Sequence, residues 1–237
     1  MSELATAIRV EGYKAWSSRV VRTATLLVVG GIAVLVGALV AAARAGNQQI
    51  LTQLGPLADA EGWELLTGVT AQITAVGGLL AFGVVLSWSF GREFADGTIT
   101  GLFALPVPRA MIALAKLIVH LAWVSGIALV LPLLLLATGL LLRLGPIDGE
   151  VLRQLTLQAA LTVGVGLLGL PAAWAATVWR GQLAGIAVVL GVLIAVQVTA
   201  IAAPGAAVAA APFAAVGVPL VFAALTCRAW SRLQLDR

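Results

Sequence analysis

Long apolar runs alternate with short polar connections along most of this chain. Each run is about as long as the roughly 20 residues that a helix needs to cross a bilayer. The runs are continuously apolar, whereas membrane strands alternate apolar and polar residues, so we expect an all-α fold. The predicted spans are Thr23–Ala43, Thr67–Phe90, Ile112–Leu142, Leu155–Val178, Leu183–Ala203 and Ala206–Thr226.

The composition places the chain among polytopic membrane proteins. Hydrophobic residues make up 61% of its 237 residues and charged residues only 10%, whereas a soluble domain carries about 25% charge. A single cysteine, Cys227, excludes an internal disulfide framework or a metal site built from cysteines. No H-E-x-x-H or paired-carboxylate pattern occurs, so we expect no catalytic residue and no metal site. The basic residues lie at span ends, which argues against a nucleic-acid partner.

The distribution of Lys and Arg predicts how the chain is oriented. With both termini on one side, that side carries eleven of the 14 Lys and Arg residues. Cytoplasmic loops carry the excess of positive charge, so we expect both termini, including the 227–237 tail, in the cytoplasm of a multi-pass cell-membrane protein. Residues 1–22 predict a helix on the cytoplasmic leaflet with Trp16 at headgroup depth. The alternative is a basic flank that only sets topology.

The 91–111 segment combines charge, glycine and proline between the second and third spans. Gly97 interrupts the preceding helix, and Thr98 can cap a new one. Two prolines then prevent the new helix from continuing. Its apolar residues recur at i, i+3 and i+4 and form one face, namely Ile99, Leu102 and Phe103. A short amphipathic helix of this kind suits either a groove on a partner protein or the surface of the lipid.

Several residues in and around this segment form a recognisable pattern. They are Glu93-Phe-x-x-Gly97-Thr98, Leu105-Pro106-x-x-Arg109 and Lys116, with Glu11-x-x-Lys14 near the N-terminus. This pattern resembles the cytoplasmic segment of ABC-2-type transporter permeases, and the expected six-span topology extends the resemblance over the whole chain. The resemblance implies a single transmembrane domain over residues 1–237, with a coupling helix in the 91–111 loop that docks on an ATPase.

The resemblance also implies partners and roles. Two six-span subunits pair, as a homodimer or a heterodimer, and separate cytoplasmic ATPase subunits drive them. The chain has no G-x-x-x-x-G-K-[ST] phosphate loop, so we expect it to bind no cofactor and expect ATP and Mg on the partner ATPase. The coupling residues are then Glu93, Gly97, Thr98, Ile99, Leu102, Phe103 and Arg109.

Polar side chains inside the spans provide candidates for a substrate path. In the resembled family the second and fifth spans line that path, which implicates Gln72, Thr74, Gln197 and Thr199. Ordinary hydrogen bonding between helices is the alternative for these four. His120 is the only histidine, and we expect it to hydrogen-bond a neighbouring helix. We expect Lys116 to extend to the cytoplasmic interface and every acidic residue to lie outside the spans.

Together these features predict a non-enzymatic permease subunit of an ATP-driven transporter. The expected cargo is an amphipathic or hydrophobic compound, such as a drug, a peptide antibiotic or a lipid-like molecule, because the candidate path has amides and hydroxyls but no fixed charge. Multidrug or antibiotic resistance is a role that such an exporter would serve. The alternatives are a membrane channel or scaffold subunit that needs no ATPase, or an integral-membrane enzyme.

Overall fold

A computed structural model describes residues 3–103 and 107–234, with the backbone alone at positions 103, 204 and 206–213. Every regular element in these ranges is helical. The α-helices are α1 Glu3–Ser17, α2 Arg19–Leu26, α3 Ile32–Arg44, α4 Gln48–Leu54, α5 Gly62–Ile73, α6 Leu79–Ala95, α7 Ile99–Phe103, α8 Arg109–Leu141, α9 Gly149–Leu168, α10 Pro171–Val178, α11 Gln182–Ala202 and α12 Pro204–Ser231. The predicted all-helical membrane fold is therefore confirmed.

Six helical segments in the described part of the chain are long and apolar enough to cross a membrane. In order, they are Arg19–Arg44, Gly62–Ala95, Arg109–Leu141, Gly149–Val178, Gln182–Ala202 and Ala214–Ser231. We call them the first to sixth spans. The helix α1 precedes them, α4 lies between the first and second spans, and α7 lies between the second and third.

Three of the spans contain an internal irregularity. The first and second each include one π-helical turn, Leu27–Gly31 and Thr74–Gly78, and both turns contain a Gly-Gly pair. Glycine accepts the altered backbone easily, and such turns are often found at functional sites. The fourth span is interrupted where Pro171 begins α10, because proline has no N–H to continue the hydrogen-bond ladder.

The second and fourth spans form the centre of the bundle, whereas the fifth and sixth lie at its edge. About half of the most apolar stretch is buried in the second span (50%) and the fourth (56%), but only 11% in the fifth and 17% in the sixth. Close packing of the fifth span against this centre depends on glycine: a Cβ at Gly185 would lie 2.2 Å from Ser87 Oγ in the second span and 2.7 Å from the Ala172 carbonyl oxygen in the fourth. The fifth span therefore leaves most of its apolar surface outside the monomer.

Candidate functional site

Helix α1 packs against the third span and presents a carboxylate to it. Ala7 and Glu11, one turn apart, are buried, and Glu11 is only 6% exposed. On the other side of the helix, Val10, Tyr13 and Trp16 are exposed. The helix thus turns an acidic residue inward and aromatic side chains outward, which its apolar pattern did not indicate.

The buried carboxylate belongs to a cluster of four charged side chains, which we call the charge cluster: Glu11, Lys14, Glu93 and Lys116. The Lys116 ammonium group donates to Glu11 Oε2 at 2.8 Å, to Glu93 Oε1 at 2.9 Å and to the Ser89 carbonyl oxygen at 3.0 Å. An ammonium group has three protons, so these acceptors can satisfy all of them. Lys14 Nζ donates to Glu11 Oε1 at 2.7 Å and to Glu93 Oε1 at 3.3 Å.

The charge cluster is buried and balanced. The side chains of Lys116 and Glu93 are 1% and 3% exposed, and Lys14, at 30%, is its most exposed member. Two carboxylates face two ammonium groups, so the formal charge sums to zero. Burying charges costs free energy that their attraction repays only with good geometry, so a cluster like this specifies an arrangement more than it adds net stability. Here it fixes α1, the end of α6 and the start of α8 relative to one another.

The connection from α6 to α7 is attached to the same cluster. Thr98 Oγ1 donates to Glu93 Oε2 at 2.5 Å, and Thr98 directly precedes α7. Gly97, which lies just before Thr98 in this connection, has φ +65°, a left-handed conformation that glycine adopts without steric cost. The Thr98 hydroxyl, which the sequence predicts as a helix cap, thus ties the connection to the buried Glu93 carboxylate.

The predicted apolar face of α7 turns toward the bundle of its own chain. Ile99 is buried in a core cluster with Phe90 and Trp230, and Leu102 packs against that cluster. Thr100 and Gly101 are exposed instead. The Phe103 side chain lies outside the described residues. At the start of α8, Arg109 Nη1 donates to the carbonyl oxygen of Leu233, which ties this region to the C-terminal segment.

The structure bears on two expectations about the ends of the spans. The Lys116 side chain is 1% exposed and is held among the carboxylates on neighbouring elements, so it does not reach solvent, and its extension to the cytoplasmic interface stays a prediction. Glu93 lies within the second span and is 2% exposed, so not every acidic residue lies outside the spans. The oppositely charged partners of Glu93 and Lys116 lie 23 to 105 residues away in the sequence, so no local pattern indicates the burial of these two side chains.

His120 lies next to the charge cluster. It lines a cavity of about 30 Å³ together with Glu11, Lys14, Glu93 and Lys116, and its ring lies 5.7 Å from that of Trp123. Among the described residues, neither ring nitrogen has a hydrogen-bond partner with full geometry. The Gly166 backbone on the neighbouring helix α9 is nevertheless close enough to interact with the ring. The expected contact with a neighbouring helix is therefore present, but without a hydrogen bond of normal geometry.

The four candidate path residues fall into two groups. Thr74 is buried and accepts a hydrogen bond from Gln158 Nε2 at 2.9 Å, which joins the second and fourth spans. Gln72, Gln197 and Thr199 are exposed, and the Thr199 hydroxyl donates to the Ala195 carbonyl oxygen of its own helix at 2.7 Å. Thr74 is thus engaged between two helices, whereas the other three side chains lie at the surface of the monomer.

Part of the charge cluster was visible in the sequence. Glu11 and Lys14 are three residues apart, the spacing of a pair on one helix face, whereas Glu11 and Lys116 are separated by 105 residues. No local signal connects the second pair. In residues 3–103 and 107–234 there is no group of three His, Cys, Asp or Glu side chains placed to hold a metal ion.

Comparison with known proteins adds a family match. Residues 8–198 match the family described as "ABC-2 family transporter protein". Heme exporter protein B of Pseudomonas aeruginosa is 36% identical over 132 residues, which cover 51% of this chain and 58% of that protein. Bacitracin transport permease protein BCRB of Bacillus licheniformis is 34% identical over 74 residues, covering 30% and 36%. The chain thus spans between about a third and somewhat over half of the length of these relatives. No solved structure matches the chain.

Proposed function

The chain belongs to the ABC-2 family of transporter proteins, and from this premise we propose that it is the permease of an exporter driven by a separate cytoplasmic ATPase. As a family member with six apolar helices, it is a multi-pass membrane subunit of an ABC transporter. The observation that supports an external motor best is the attachment of the α6–α7 connection to the buried charge cluster.

We assign the coupling element to Glu93, Gly97, Thr98, Ile99, Leu102, Phe103 and Arg109. Within it, Ile99 and Leu102 anchor α7 to the bundle, and Thr98 links it to Glu93. The exposed Thr100 and Gly101 are then the positions that contact the ATPase. A push on α7 would act on the second span directly and on α1 and the third span through the charge cluster, because all are joined by short polar contacts.

This assignment places α1, α7 and both termini on the cytoplasmic side, as the distribution of Lys and Arg favours. Helix α1 would lie at the interface with Val10, Tyr13 and Trp16 toward lipid headgroups, since aromatic side chains prefer that depth. Its charge cluster would then be located where the motor acts.

A second permease subunit would cover the poorly buried fifth span. Gln72 and Gln197 are exposed in a region where lipid cannot satisfy an amide, whereas the exposed Thr199 hydroxyl donates within its own helix. A protein partner or a wet path would satisfy the two amides, so we keep Gln72 and Gln197, with the nearby Thr199, as path candidates, while Thr74 acts between helices. The exported compound is amphipathic or hydrophobic in this proposal. Bacitracin and heme, from the names of the two relatives, are the first to test.

The coupling assignment is tested by purification from native membranes. The tagged chain should recover a protein that carries a G-x-x-x-x-G-K-[ST] phosphate loop. The Thr100→Arg substitution puts a long cation on the exposed side of α7 and should reduce that recovery by about tenfold, as loss of a central interface contact does.

Thr52→Arg is the matched control, because Thr52 is an exposed threonine on α4, at the other end of the spans. It should leave the recovery unchanged. If no such ATPase is recovered from wild-type membranes, the transporter proposal is wrong. If it is recovered equally well with Thr100→Arg, the proposed contact on α7 is wrong.

A further inference from the structure

An apolar groove runs between the first and third spans on the outside of the bundle. It encloses about 750 Å³, within the range of roughly 300–1,000 Å³ that small-molecule sites occupy. Leu26 and Val29 line one wall, and Ile127 and Val130 the other. Leu26 is 71% exposed and Val130 45%, so the groove opens outward to the hydrocarbon around the protein.

One end of this groove is cationic and aromatic. Arg22 and Trp16 line that end, and Trp16 is 85% exposed. Arg22 Nη2 and Nε donate to the carbonyl oxygens of Ser17 and Ser18 at 3.0 and 3.3 Å. These acceptors hold the guanidinium group in place without neutralising it, and among the described residues no carboxylate forms an ion pair with it.

The length of the groove matches one leaflet. Trp123 Nε1 donates to Thr25 Oγ1 at 2.8 Å, which places these two residues at the same depth on parallel spans. Arg22 lies three residues before Thr25, and Val130 lies seven after Trp123. Ten residues at about 1.5 Å each give roughly 15 Å, half of the roughly 30 Å hydrocarbon core.

We propose that this groove binds an anionic phospholipid, with the phosphate at Arg22 and one acyl chain between the first and third spans. The charge at one end and the apolar walls along one leaflet match the two parts of such a molecule. Trp16 at the entrance lies at the level where aromatic side chains meet headgroups. This lipid site requires that the chain lie in a membrane, but it does not depend on an ATPase partner or on an exported compound.

A second groove provides an internal comparison. It lies on the opposite side of the first span, against the second span, and encloses about 580 Å³. Leu27 and Leu35 are among its apolar lining, and no described charged residue lines it. It therefore lacks the feature that would select an anionic headgroup.

The experiment compares lipid retention by variants of the full-length protein, purified with whatever subunits accompany it. Each is equilibrated with vesicles of equimolar phosphatidylglycerol and phosphatidylcholine, extracted gently, and its bound lipids are counted by native mass spectrometry. The wild type should prefer phosphatidylglycerol. Arg22→Gln should weaken that preference about fivefold, the effect of one basic residue at an anionic membrane surface.

Filling the groove should remove the lipid itself. A Cβ at Gly126 would meet nothing within 4 Å, so Gly126→Leu projects into the groove and should lower retention of both lipids. Ala122→Leu serves the same purpose if the first variant does not fold. Gly31→Leu fills the comparison groove, where a Cβ also meets nothing, and should preserve the preference for phosphatidylglycerol. Arg228→Gln, an exposed cation on the sixth span, should preserve it as well.

Three results would overturn the proposal. The first is a wild-type protein that shows no preference between the two lipids. The second is a Gly126→Leu variant that retains both lipids as the wild type does and stays in the same assembly. The third is a Gly126→Leu variant that keeps its lipids but falls apart into smaller assemblies, which would mean that a protein chain occupies the groove.

Discussion

Replacing Lys116 with methionine tests whether the charge cluster is as tightly balanced as its distances indicate. Methionine keeps much of the volume but removes the ammonium group and its bonds to Glu11, Glu93 and the Ser89 carbonyl. Two buried carboxylates would then share Lys14 alone, leaving one unbalanced negative charge. Removing one partner of a buried ion pair costs about 3–5 kcal/mol, which corresponds to a melting temperature lower by about 6–20 °C.

The assay is thermal unfolding in detergent, followed by the fluorescence of the protein's seven tryptophans. Adding Glu93→Gln to Lys116→Met restores equal numbers of charges, so the double variant should be less destabilised than the sum of the single ones by about 0.5–3 kcal/mol. Glu150→Gln is the control, because the ion pair of Glu150 with Arg153 is short (2.5 Å) but exposed, and it should leave the melting temperature unchanged. A Lys116→Met variant that melts like the wild type would refute the argument.

Two further predictions concern packing and pH. Gly139→Ala should destabilise the protein by about 1–3 kcal/mol, because the new Cβ would lie 2.2 Å from Trp63 Cη2. Gly164→Ala, where a Cβ meets nothing within 4 Å, should not destabilise it, because alanine favours a helix more than glycine does. Equal unfolding temperatures for the two variants would contradict this. Burial lowers the pKa of Lys14, but its hydrogen bond and attraction to Glu11 outweigh burial and hold the pKa above the usual 10.5. The stabilisation that charged Lys14 gives the folded protein is therefore complete below pH 10.5 and is lost as the pH rises through the raised pKa. Lys14→Gln should therefore make the melting temperature fall less steeply above pH 10.5. A fall as steep as that of the wild type would disprove this role of Lys14.

The membrane spans were predictable because they depend on local properties. A continuous apolar run of sufficient length needs no distant partner to be recognised, and helices satisfy their backbone groups within one segment. Pro171 also carried a local signal for the interruption of the fourth span. The close approach at Gly185, by contrast, depends on Ser87 and Ala172 from two other spans, and an alanine- and glycine-rich sequence does not indicate which glycines make such contacts.

The candidate site was predicted only in part. The spacing of Ile99 and Leu102 indicated one apolar face on α7, but spacing alone does not show whether such a face turns toward a partner or toward the chain's own core. The core cluster around Phe90 and Trp230 decides this for both residues. The resemblance to known permeases drew attention to Glu93, and the structure showed that Glu93 is buried among cations on two other helices.

The sequence by itself determined that this chain is a bundle of membrane-spanning helices with a polar segment between the second and third spans. The lengths of the apolar runs, their helical period and the positions of glycine and proline are all local features of the sequence. Only the tertiary structure decided that Glu11 and Lys116 meet, because burying two charges together requires α1 to pack on the third span. That contact turns four dispersed charges into one neutral cluster at the base of the α6–α7 connection.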